Sequence, residues 1–201
     1  LAVGVGTVIA IKLLAPSMSG PGSGSPSKPS APVPAPSAYV AKTPSDKSFS
    51  AEVPRAFSFT SQATNEFMPE GKSILVHRYI AGGGKGIVDG FAVLRLVDYV
   101  DKRAEDLSQD AFLTLVVDRF FEQKQCKPGT SETARHKVHD CLHVEGEGLQ
   151  GGELRPYYMV MEAFITNNDV VLLIVAGYQK GVLTDPATVH FFDTFALTEP
   201  D

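Results

Sequence analysis

The sequence is short of three things that would narrow its function. It has 18 Lys and Arg against 23 Asp and Glu, a formal net charge of −5. A basic surface of the kind that a phosphate backbone rewards is therefore missing, and nucleic acid is not an expected partner. It has two cysteines, Cys126 and Cys141, which allow a single disulfide in an oxidising compartment and exclude a multi-bridge scaffold. It also lacks an intact apolar run of the roughly 20 residues that cross a bilayer as a helix. Motifs of catalysis are missing too. No Gly-x-Ser-x-Gly turn is present, serines concentrate between residues 16 and 48, and the five histidines accompany no positioned nucleophile.

What is present is unevenly distributed. Residues 1–15, LAVGVGTVIAIKLLA, are apolar apart from Thr7 and Lys12. They read as the C-terminal part of a transmembrane helix, with Lys12 near the end where its stem can reach the headgroups; the apolar core of a cleaved signal peptide is the alternative. Residues 16–48 hold eight of the 14 prolines, mixed with Ser, Gly and Ala, and read as an extended linker. At about 3.1 Å per residue in polyproline geometry it reaches several tens of ångströms. Of the charged residues, only Lys12, Lys28, Lys42, Lys47 and Asp46 fall before residue 49, so the remainder carries a formal −8. That acidic remainder, 49–201, is the expected globular domain, and it is a poor match for an anionic membrane surface.

The domain is organised around residues 154–180, LRPYYMVMEAFITNNDVVLLIVAGYQK. Alternation predicts two long strands joined at Asn167-Asn168, residues that tolerate the positive φ of a tight hairpin turn. Tyr157, Met159, Met161, Ala163 and Ile165 line one face of the first strand, with Tyr158, Val160 and Phe164 on the other. The second strand is apolar on both faces, so it belongs mid-sheet and covered on both sides. Upstream, FSAEVPRAFSFT gives short strands around Pro54, residues 73–80 and 88–100 give two more, and residues 135–146 another. The clearest helix spans 107–125, capped by Ser108, with Phe112, Leu115, Val116 and Phe120 as its buried stripe. A second spans about 186–195, with Asp185 as cap, Pro186 in the first turn and Val189, Phe192 and Phe195 facing inward. The expected fold is α/β (α+β): a central antiparallel sheet with helices on both faces.

The opening FSAEVPRAFSF, the long helix after the first meander, the final hairpin and the closing HFFDTFAL together resemble the Mog1/PsbP-like domain. The residues that carry the resemblance are Phe49, Pro54 and Phe57 at the start and Phe192, Thr194 and Phe195 at the end. It covers about 150 residues, and its motifs are structural ones. The PsbP branch implies an extrinsic subunit that stabilises a photosynthetic membrane complex; the Mog1 branch implies a small nuclear GTPase as partner, which suits an anchored, linker-borne domain poorly.

The richest polar cluster is RHKVHDCLHVE. On a strand, His139, Cys141, His143 and Glu145 share one side, and two imidazoles and a thiolate are donors that zinc accepts. The competing and stronger reading is a half-exposed strand whose Cys141 pairs with Cys126; closing that loop is worth roughly 3 kcal/mol. AGGGKG, with Gly82, Gly83, Gly84, Lys85 and Gly86, lacks the helix and the Ser or Thr of a phosphate loop and reads as a hairpin connection. Asp98, Asp101, Glu105, Asp106 and Asp110 lack calcium-loop spacing and suit the dipole of the helix they precede. The sequence thus leads to a non-catalytic accessory subunit without a cofactor. It would be held by one transmembrane helix and would dock an extracytoplasmic, periplasmic domain on an integral membrane complex, most specifically a bacterial photosynthetic reaction centre with its light-harvesting proteins. An extracytoplasmic metal- or solute-binding module is the alternative.

Overall fold

Residues 156–177 supply the middle of the larger sheet. In the computed structural model, which describes residues 38–67, 73–83, 86–100, 107–124, 126–149 and 156–198, the strands are β1 (Tyr39–Lys42), β2 (Phe49–Pro54), β3 (Ser58–Phe67), β4 (Ser73–Gly82), β5 (Gly90–Leu96), β6 (Cys126–His136), β7 (His139–Leu149), β8 (Pro156–Thr166), β9 (Asp169–Gly177) and β10 (Ala196–Leu197). The helices are α1 (Gln109–Gln123) and α2 (Pro186–Thr194). Seven strands form one antiparallel sheet in the order β3-β4-β5-β9-β8-β7-β6, and β1-β2-β10 form a second, three-stranded sheet. Strand β9 occupies the centre of the larger sheet, and every one of its nine residues is buried. The turn before it is the two-residue one that the sequence predicts, with Asn167 at φ 51°.

Period-two alternation sorts the sheet's side chains into two cores. Met159, Met161, Ala163, Val170, Leu172 and Ile174 pack with Phe112, Leu113, Val116, Val117, Phe120 and Phe121 of α1. Val160, Phe164, Val171, Leu173 and Val175 pack on the opposite face with Phe191 and Phe192 of α2 and with Phe49, Ala51 and Val53 of β2. Helices therefore cover both faces, as expected. The three-stranded sheet, which shares the second face, was not expected.

Both helix caps form as read. Ser108 accepts a hydrogen bond from the Ala111 N–H at 3.3 Å, and Asp185 accepts one from Ala187 at 2.8 Å. The buried stripes differ from expectation. Leu115 is exposed while Leu113, Val117 and Phe121 are buried, because a sheet covers a wider arc of α1 than a single stripe. Val189 is half exposed and Phe191 takes its place inside. Phe195 is buried as the C-cap of α2.

Three segments depart further from the sequence reading. Strand β1 lies within residues 16–48, expected as linker, and pairs along its length with β2, Tyr39 opposite Pro54 and Lys42 opposite Ala51. The strand expected at 135–146 is two strands, because the chain reverses at Lys137 (φ 54°) and Val138. Most of the expected strand is β7; β6, which it meets only at residues 135–136, is almost wholly exposed and so shows no apolar alternation. Among the described residues, no helix is long and apolar enough to cross a membrane; the expected transmembrane segment, residues 1–15, lies outside the described residues.

The motif residues at the two ends of the domain meet each other. The Phe49 and Phe195 rings are 5.4 Å apart, Phe57 meets Phe91 at 5.2 Å, and Phe91 meets Phe191 at 5.0 Å. Thr194 Oγ1 accepts the Glu52 N–H at 3.1 Å and donates to the His190 carbonyl at 2.8 Å. These residues clasp β2 to α2, which closes the second core. A fully buried Phe contributes about 1.5–3 kcal/mol, which makes this clasp a principal source of stability.

Candidate functional site

The polar cluster of β7 is where sequence and structure meet most informatively. His139, Cys141 and His143 do share the face of β7 that looks toward α2, as expected. Each is engaged separately. The His139 ring stacks on Phe164 at 5.1 Å. Cys141 is buried in the second core. His143 lies opposite Glu162 in the β7–β8 register, its Nδ1 3.6 Å from Oε1. Among the described residues, no three His, Cys, Asp or Glu side chains converge as metal ligands, and the row from residue 139 to 143 spreads over about 13 Å of extended strand.

The expected disulfide is not formed; both thiols are free and buried. Cys126 opposes Gly148 at one end of the β6–β7 hairpin and Cys141 opposes Ala134 toward the other, about 23 Å of strand away. They also belong to different cores on opposite faces of the sheet. A disulfide needs its Cα atoms within about 7 Å. Burial pushes the Cys126 thiol up. Burial first, and then the neighbouring Glu162 carboxylate, raises Cys141 to about 11. Neither is a nucleophile or an easy metal ligand at neutral pH. Titrated with a thiol reagent, the native protein is expected to react slowly at both cysteines and the denatured protein at both quickly, with no mass loss of a disulfide in either.

Glu162, which the sequence reading passed over, is the centre of the cluster. It interrupts the apolar row Val160–Phe164 on β8 and is held by two imidazoles. His136 donates from Nδ1 to Oε2 at 2.6 Å and His143 approaches Oε1 from the other side. A carboxylate in the middle of a strand buried on both faces must find such partners, and that interruption is the signal that could have found it. His136 is 6% exposed and stacks on Phe164 at 5.5 Å. Its neighbour Lys137 donates to the Phe195 carbonyl. The bridge thus ties the β6–β7 turn to β8 and to the end of α2.

Its titration follows from the geometry. Burial works to raise Glu162, but the hydrogen bonds and charge of His136 and His143 outweigh it and bring it from an ordinary 4.5 to about 2. The hydrogen bond to Glu162 raises His143 above its ordinary 6.5, against the opposing effect of burial. A carboxylate held low stabilises the fold above pH 4.5, and the gain is lost as pH falls toward 2. A histidine held high stabilises it below pH 6.5, and the gain is lost as pH rises through the folded value. Stability is therefore expected to be greatest between about pH 4.5 and 6.5, falling on the acid side by about 2–3 kcal/mol from Glu162. Urea midpoints measured from pH 2.5 to 9 check this.

A second polar group fastens the turn before β2. Tyr79 donates to Asp46 Oδ2 at 2.6 Å, Ser48 donates to Asp46 Oδ1 at 2.8 Å, and His77 Nδ1 lies 3.1 Å from the Tyr79 hydroxyl. Burial, then the Asp46 hydrogen bond, pushes Tyr79 to about 12, which suits a structural donor rather than a nucleophile. Between β2 and the large sheet a cavity of about 10 Å³, lined by Phe49, Tyr79, Phe91 and Phe191 among others, has the volume of one water. The glycine stretch connects β4 to β5 as read, with Gly83 at φ 99°; Gly84 and Lys85 lie outside the described residues. Of the acidic stretch, Asp110 sits in the first turn of α1, and Asp101, Glu105 and Asp106 lie outside the described residues.

No protein-family model and no curated protein matches the sequence. Among solved structures, the fold is similar to that of cyanobacterial PsbP (CyanoP) from Synechocystis sp. PCC 6803, with TM-score 0.51 and 9% identity over 84% of this chain and 98% of that one. Weaker likenesses link it to a putative regulator of unknown function, PA94, from Pseudomonas aeruginosa (TM-score 0.47, 10% identity, 81% of this chain and 99% of that one). LpqN of Mycobacterium tuberculosis, involved in cell envelope biogenesis, gives TM-score 0.42 and 11% identity over 80% of this chain and 91% of that one. The first of these bears out the PsbP-like fold expected from the motif residues; at such identity it speaks to fold alone.

Proposed function

We propose that this chain is a non-catalytic accessory subunit whose domain docks on a larger membrane complex and stabilises it. The observation that carries the reading is a PsbP-like domain borne behind a Pro-rich stretch and an apolar N-terminal run. Residues 1–15 would hold the chain in the bilayer and residues 16–37 would act as the tether. A tether raises the local concentration of the domain at its target, so a modest interface suffices. The domain would then lie on the extracytoplasmic side. The most specific partner we infer is a bacterial photosynthetic reaction centre with its light-harvesting proteins, supported by the function of the PsbP branch that the motif residues resemble. The test is to extract membranes in mild detergent, isolate the tagged chain, and identify its companions by mass spectrometry and absorption spectrum. Pigmented membrane proteins at fixed ratio to the chain are expected. A colourless companion complex would retain the accessory role and refute the photosynthetic one.

A further inference from the structure

The two edges of the seven-stranded sheet differ in how they are guarded. An edge strand offers unpaired N–H and C=O groups to any other strand, and proteins blunt such edges with proline, lysine, bulges or short length. The β6 edge has these devices: Pro128, a register shift between Pro128 and Ser131, and the charges of Lys127 and Arg135. The β3 edge has none of them. Its ten residues, SFTSQATNEF, contain no Pro, Lys or Arg, and they pair with β4 without a break from Ser58 opposite Gly82 to Phe67 opposite Ser73. Its one charge, Glu66, is turned along the strand to Arg78 of β4. Thr60, Ser61, Gln62 and Ala63 are exposed, and since successive side chains point to opposite faces, neither covering layer reaches over this part of the edge among the described residues. A second sheet can therefore abut it without a clash between layers.

We propose that the free edge of β3 is a homodimer interface, at which the β3 strands of two copies pair antiparallel about a two-fold axis to make one continuous sheet. The occupant is argued from self-complementarity. With the axis at Gln62, Thr60 faces Thr64, Ser61 faces Ala63, Phe59 faces Asn65 and Ser58 faces Glu66. The hydroxyls of Thr60 and Thr64 are held within each protomer by Ile80, Glu66 and Arg78, which leaves small β-branched side chains to pack across the ladder, and in this register no like charges meet. Closure of two identical edges on each other also leaves β6, the guarded strand, at both ends of the joined sheet, so assembly stops at two copies. The inference stands apart from the accessory reading, since it requires no other protein.

A cysteine scan of the full chain tests it. Thr60, Ser61, Gln62 and Ala63 are replaced one at a time by cysteine and exposed to a mild oxidant, with Thr133→Cys on the exposed β6 as control. The native thiols are buried and silent. Facing Cβ atoms in such a pair are about 4.5–5.5 Å apart, near enough for a bridge after small adjustment. Gln62→Cys is expected to give a disulfide-linked dimer at least about tenfold faster than Thr133→Cys, with lower rates at Thr60 and Ser61. A maximum at Ala63 would place the axis one residue along and uphold the pairing. Equal rates at all positions, or no dimer at any, would overturn it. A second readout is sedimentation: Gln62→Lys sets two ammonium groups face to face on the axis and should turn a dimer into a monomer, and a parent chain that sediments as a monomer throughout its working concentration range would overturn the proposal.

Discussion

Gly146→Ala is expected to destabilise the domain by about 3 kcal/mol, at the upper end of what overpacking costs. Gly146 lies on β7 opposite Pro128 and Met159, on the face that α1 covers. A Cβ there would overlap Cε1 of Phe121 and come within 2.8 Å of its Cζ and 2.9 Å of the Lys127 carbonyl oxygen. Phe121 is completely buried, so its ring has no free space to move into, and the carbonyl belongs to a paired strand. The glycine is what lets α1 lie directly on the β6–β7 hairpin. Denaturant midpoints of the single variant and of Gly146→Ala/Phe121→Leu check this account. The smaller side chain should recover part of the loss, as expected for two residues in contact. A single variant within about 0.5 kcal/mol of the parent would show that the helix is not seated there.

Glu162→Ala is expected to be nearly as costly, about 3 kcal/mol, because it removes the acceptor of two imidazoles and leaves a buried histidine without a partner. Nε2 of His136 already has no hydrogen-bond partner among the described residues, so Nδ1 cannot lose its own without stranding the whole ring. Glu162→Gln keeps the shape and one acceptor and should cost roughly half as much. It should also flatten the acid limb of the stability profile, since no carboxylate remains to be held low, and bring His143 back toward 6.5. Following the His143 ring by NMR titration separates this from a mere packing defect. An unchanged histidine titration in Glu162→Gln would remove Glu162 as its partner.

The legibility of this chain follows burial. The β8–β9 hairpin could be read with its turn and both faces because its apolar residues answer alternately to one core and the other. Helix caps could be read because Ser108 and Asp185 act locally. What failed was what the rest of the sheet dictates. Strand β6 is a strand only because β7 pairs with it, and KPGTSETARH carries no periodic mark of that. Strand β1 hides in a Pro-rich stretch for the same reason. The proximity assumed for Cys126 and Cys141 rested on a loop between them; a hairpin there separates them along the strand and across the sheet. Of the candidate site, the shared face of His139, Cys141 and His143 was legible from alternation. Glu162 was marked by its interruption of an apolar row, but its partners His136 and His143 come from neighbouring strands and became visible only with the register.

A domain that works by docking on a membrane complex should be carried by a large particle, and the size of that particle can be measured. Membranes holding the tagged full chain are solubilised in mild detergent, and the native mass and subunit ratio of the isolated particle are measured. The account predicts a particle much larger than two copies of the 21.5 kDa chain, with integral membrane proteins at fixed stoichiometry. A particle containing this chain alone, as one copy or two, would contradict it.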